Sequence, residues 1–146
     1  MPLSFGASLV LLLSGLSVQT AVLQSRARLE AGLRRDRAED ALASAAQQVA
    51  SKLSGPFACL LTLPSQHWHG RECAQGHAAA GLMAGTVAEL PYQLVEWRPA
   101  TGSEPAQLVL QLAAERGAAR IQRRFAVSVG DKAGSAPIQS VRGLGL

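Results

Sequence analysis

Residues 26–53 read RARLEAGLRRDRAEDALASAAQQVASKL, and the fold turns on whether they continue a helix begun upstream or open a new domain. Leu29, Leu33, Ala38, Leu42, Ala45, Val49 and Leu53 recur at steps of three to five, the spacing of one apolar helix face. Arg26, Glu30 and Arg34 form a charge ladder at i,i+4, and Arg35 stands four residues before Glu39. Alanine, the strongest helix former, crowds the stretch from Ala38 to Ala50. Ser54, Gly55 and Pro56 supply the stop.

Upstream of Arg26 no side chain is charged, and the densest apolar run is Leu9 to Leu13. Between Pro2 and Pro56 there is no proline, and Gly32 is the only glycine between Gly15 and Gly55. The spacing therefore predicts one nearly continuous helix from about Ala7 to Leu53, apolar nearly all round in its first half and amphipathic in its second. Leu3 to Leu23 is about 21 residues, enough to cross a hydrocarbon core of roughly 30 Å. Three readings of this opening stand side by side. A cleaved secretory signal has Gly15 and Ser17, or Ser25 and Ala27, as small residues before a cut, but its only n-region charge is the amino terminus. A plain anchor with arginines on its C-terminal flank holds that flank in the cytoplasm. A stem leaves the bilayer and packs against other helices.

The rest of the 146-residue chain is a small domain from residue 54 onward. Its strand candidates are Tyr92 to Arg98, Ala106 to Ala114, and Ala118 to Val129, with a short edge strand at Ile138 to Val141. In the third, Ile121, Phe125, Val127 and Val129 share a face with Arg123 as the exception, while Arg120, Gln122, Arg124 and Ser128 take the other. Small residues from Ala78 to Ala88 read as loop. The fold class expected is α+β, a long N-terminal helix with a membrane-inserted first half, packed on a small antiparallel β-meander.

Cys59 and Cys73 are the only cysteines. In an exported chain they read as one disulfide, stabilising the fold by about 3 kcal/mol through loop closure. In the cytosol they read as reduced thiols, and with His67, His69 and His77 they supply enough soft ligands for zinc. The spacing matches no familiar zinc finger, so the disulfide is the reading taken and no metal is assigned. A Cys–His nucleophile lacks a third orienting group, and there is no G-x-S-x-G elbow, P-loop or dinucleotide fingerprint. No catalytic residue and no cofactor are assigned. The net charge of +4 comes mostly from arginine, but aromatic residues make up only 4%, too few to stack single-stranded bases, so nucleic acid is not the expected partner. Arg98, Arg116, Arg120 and Arg124 read as a basic sheet face, either simply solvated or turned to an anionic partner such as DNA or polysaccharide.

Gly6 followed by the apolar run, the RRDRAEDALASAAQQ continuation and a small cysteine-bearing domain together resemble the type IV minor pilins and the type II secretion pseudopilins. The likeness covers the first third of the chain. It implies a short leader at residues 1–6, cleavage between Gly6 and Ala7, and a transmembrane and stem helix over residues 7–53. It also implies other pilin-like subunits as partners through that helix, and a single-pass place in the inner membrane with the small domain periplasmic or extracellular. The fifth mature residue would be Leu11, where most members carry a glutamate, which suits a subunit at the filament tip. Two expectations of other classes are a bitopic membrane protein with a cytoplasmic binding domain and a secreted metal-binding module.

Overall fold

The computed structural model of the chain describes residues 3–73, 76–113, 120–130 and 137–144, with side chains from residue 19 onward. Helix α1 runs over Leu3–Ser54 without a break. It ends where Gly55 and Phe57 both donate backbone N–H bonds to the Lys52 carbonyl, at 3.1 and 3.0 Å. Short 3₁₀ turns at Ala58–Leu60 and Ser65–His67 follow, then a small hairpin of β1 (Glu72–Cys73) and β2 (His77–Ala78), and the one-turn helix α2 (Ala80–Met83). Strands β3 (Ala84–Val87), β4 (Leu90–Arg98), β5 (Ala106–Leu112), β6 (Gln122–Val129) and β7 (Ile138–Gly143) then form an antiparallel sheet in simple sequence order. The fold is thus α+β, a long helix packed on antiparallel strands. The chain divides into two compact units, Met1–Arg37 and Ala38–Leu146.

Within the second unit α1 buries Ala38, Ala41, Leu42, Ala45, Ala46, Val49, Ala50 and Leu53, a strict three-four repeat. Against these lie Tyr92, Leu94, Trp97, Leu108, Leu110, Leu112, Phe125 and Val127 from the sheet. Five of the eight helix positions are alanine, so most of the bulk in this core is supplied by the strands. The single apolar face read from the sequence needs revision at its start. Leu29 and Leu33 are 69% and 60% exposed, and the buried repeat begins only at Ala38. The boundary is one of position along α1 and not of face, since every residue from Gln19 to Arg37 is exposed.

All four strand candidates are strands, with β7 extending to Gly143. Ala114, Ala118 and Ala119 lie outside the described residues. Strand β3 lies within the small-residue stretch expected to be loop. It pairs Gly85 with Tyr92, and a Cβ on Gly85 would stand 2.5 Å from the Tyr92 hydroxyl oxygen. The missing side chain is what admits the ring. Burial pushes the Tyr92 phenol above its usual pKa, so its hydroxyl stays protonated and donates to Gln48 Oε1 on α1 at 3.2 Å. The turn between β3 and β4 uses Ala88 and Glu89, both at positive φ (46° and 65°), where such two-residue turns favour Asn and Gly.

A bulge in β4 decides which side chains reach the core. Leu94 pairs with Leu110 and Glu96 with Val109, leaving Val95 as the extra residue. Strict alternation along Tyr92–Arg98 would turn Glu96 inward and Trp97 outward. With the bulge Trp97 is fully buried, and Glu96 points away to meet Arg98 at 2.7 Å. Deleting Val95 closes the bulge and leaves every other side chain on its present face. We therefore expect the deletion to be tolerated within about 1 kcal/mol, below the usual scale of disruptive core changes. Deleting Leu110 from the unbulged β5 should abolish the fold by moving half of that strand to the wrong side. Urea unfolding followed by tryptophan fluorescence distinguishes the two, and an unfolded Val95 deletion would refute this account of the register.

Candidate functional site

The loop after α1 is pinned by two tryptophans. Trp68 donates its indole N–H to the Leu63 carbonyl at 2.8 Å, and Trp97 donates its own to the Leu61 carbonyl at 3.2 Å. The backbone N–H of Trp97 also donates to Ser65 Oγ at 3.0 Å, which accounts for a serine inside the core. Cys59 and Cys73 form the expected disulfide, with a Cα–Cα distance of 5.8 Å across a separation of 14 residues. It ties the first 3₁₀ turn to β1, and Gly76 at φ +75° lets the chain turn back into β2.

The histidines of this loop do not converge. His67 and His69 are exposed, while His77 stands against Phe57 with ring centroids 5.7 Å apart. Among the described residues no group of three or more His, Cys, Asp or Glu side chains is placed to hold a metal ion. Both sulfurs are bonded to each other, so neither is a thiolate ligand or nucleophile in this state. A concavity of about 310 Å³ lies beside the loop, lined by Ser65, Trp68, His69, Gly70, Ala79 and Met83. Ser65 is already engaged with Trp97, which leaves a single imidazole as its polar side chain. That is a poor start for acid–base or nucleophilic chemistry, which needs a second group to orient the first.

In the first unit, Val22, Leu23, Leu29 and Leu33 are exposed on α1. Glu30 and Arg34 make the expected i,i+4 contact at 3.8 Å, with both side chains in solvent. Such a pair contributes little to stability. Gly6 and Ala7 fall within the span of α1, but their side chains, like those of the whole run from Leu3 to Val18, lie outside those described. Met1 and Pro2 lie outside the described residues altogether. Among the described residues no helix is long and apolar enough to cross a membrane.

The face of the five-stranded sheet turned away from its core is polar. Gln93, Gln111 and Gln122 are paired in register across β4, β5 and β6, forming a row of three amides. The neighbouring positions carry Val109 beside Arg124, and then Arg98, Gln107, Ala126 and Arg142 in line across four strands. Of the basic positions expected here, Arg98 and Arg124 are on this face and Arg120 is exposed just before β6; Arg116 lies outside the described residues. Arg142 joins them, one residue beyond the end of the edge strand expected at Ile138 to Val141. Arg123, the exception in the inward alternation of β6, meets Glu39 of α1 at 2.7 Å. An arginine at the margin of a core is accommodated when a carboxylate neutralises it there.

No family model, no curated protein and no solved structure matches the chain.

Proposed function

We propose that the protein is a non-enzymatic, membrane-inserted pilin-like subunit that assembles into a type IV pilus or secretion pseudopilus. The observation that carries this reading is a helix of 52 residues that stays unbroken while leaving Val22, Leu23, Leu29 and Leu33 uncovered. Exposed leucines spaced along a helix are suited to contact with other helices. The uncharged run from Leu9 to Leu23, which ends in Val22 and Leu23, serves as the bilayer anchor before assembly and as helix-packing surface afterwards. The small domain faces the periplasm or the exterior, where a disulfide between Cys59 and Cys73 persists. The same bond argues against a cytoplasmic domain and removes the thiolates that a secreted zinc module would use. Leu11 at the position of the family's usual glutamate favours a place at the filament tip.

The mature amino terminus, determined by mass spectrometry on protein from the native membrane fraction, tests the proposal. A chain beginning at a methylated Ala7 is the expected result. An intact Met1 would replace it with a permanent anchor, and a start near Val18 or Arg28 would make the opening a secretory signal.

A further inference from the structure

We propose that the outer face of the five-stranded sheet binds an acidic polysaccharide, a linear polymer that carries both carboxylates and hydroxyls. The proposal does not depend on the filament reading, since it rests only on the small domain.

Among the described residues the register places three arginines on this face, Arg98, Arg124 and Arg142, against one acidic side chain, Glu96. Glu96 is occupied by Arg98 at 2.7 Å. Arg124 and Arg142 project from adjacent strands on a diagonal, two residues out of register: Arg142 sits opposite Ala126, and the backbone N–H of Leu144 donates to the Arg124 carbonyl. Among the described residues neither guanidinium has a carboxylate partner, so each can present its planar donor fork to an incoming anion.

What distinguishes this face from a merely basic surface is the glutamine content. Gln93, Gln111 and Gln122 stand side by side on consecutive strands, about 5 Å apart, and Gln107 lies between Arg98 and Ala126. A carboxamide both donates and accepts hydrogen bonds. A nucleic-acid backbone presents phosphate oxygens that only accept, so it uses the donor half of each amide. A sugar hydroxyl donates and accepts, as the amide does, so a row of amides beside a pair of guanidinium groups matches hydroxyls beside carboxylates. No aromatic ring is placed on the face in the register, which removes the platform that base stacking requires. Val109 is buried although it belongs to this face, so beside Arg124 the long polar side chains cover the strand, while Val95 at the bulge is exposed.

The test uses the full chain in non-ionic detergent, with alginate as the acidic polymer, dextran as a neutral one and duplex DNA as a phosphate polymer. Alginate should bind and dextran should not, and added salt should weaken binding. The variant Arg124→Gln/Arg142→Gln should lose roughly tenfold in affinity, about 1.4 kcal/mol. Gln111→Leu should weaken alginate binding while leaving its salt dependence unchanged, because it removes hydrogen bonds rather than charge. Thermal unfolding of each variant checks that the domain remains folded. The arginines of α1 are a second basic source, so Arg28→Gln/Arg34→Gln serves as the control and should retain wild-type affinity. Absence of alginate binding, equal losses in the control and sheet variants, or duplex DNA binding as tightly as alginate would each overturn the proposal.

Discussion

Replacing Trp97 by alanine should destabilise the small domain by about 3–5 kcal/mol, the range for removing a large aromatic side chain from a packed core. The side chain is completely buried, and its ring lies among residues of the sheet and of α1. Truncation also strips the Leu61 carbonyl of its indole donor, so a cavity and an unpaired acceptor arise together. The backbone bond from Trp97 to Ser65 survives, because it does not involve the ring. Against a typical domain stability of about 5–15 kcal/mol, this loss leaves a domain unfolded or nearly so at moderate urea. A loss below about 1 kcal/mol in urea unfolding would mean that Trp97 is not the central packing element described here.

The second large effect concerns the disulfide. Changing both Cys59 and Cys73 to serine should cost about 3 kcal/mol, the chain-entropy value for a loop of this length. Cys73 is buried in the core cluster, so a serine there adds a polar group in need of a partner. The damage should begin locally. The described elements from Phe57 to Met83 are all short, whereas β4, β5 and β6 are held by long ladders. Amide exchange after reduction should therefore rise first between Phe57 and Met83, with the central strands following only on global unfolding. Equal stability with and without a reductant would show that the bridge constrains nothing the native contacts do not already fix.

The parts of this fold that were readable in the sequence share a physical cause. Strands β5 and β6 bury one side of a sheet, so their side chains alternate and the alternation survives in the sequence. The end of α1 is marked by Gly55 and Pro56, which cannot continue a helix without cost. What escaped reading depended on neighbours far along the chain. Strand β3 is too short to carry a pattern, and it is shown only by its pairing with β4, where Gly85 makes room for Tyr92. The bulge at Val95 is visible only once β5 supplies the register. Arg123 is an exception in an inward face, and its reason is Glu39, which only the packing of α1 brings beside it. The candidate surface shows the same division. Individual arginines of the outer face could be listed from the sequence, but the row of glutamines requires three strands to be aligned. The cysteine pair was countable, while its oxidation state was not, since spacing alone suits a bond, two thiols or a metal.

The margins of the sheet have a consequence for how copies of the chain can meet. At one border β3 offers only four residues, Ala84–Val87. At the other, β7 is interrupted where Gln139 has no partner between Ser140 and Ile138, and it then carries the exposed Arg142. A ribbon that is short on one side, and kinked and cationic on the other, is a poor template for a further strand. Sheets of neighbouring molecules are thus discouraged from fusing edge to edge, and any ordered association has to be built from side chains rather than from backbone pairing.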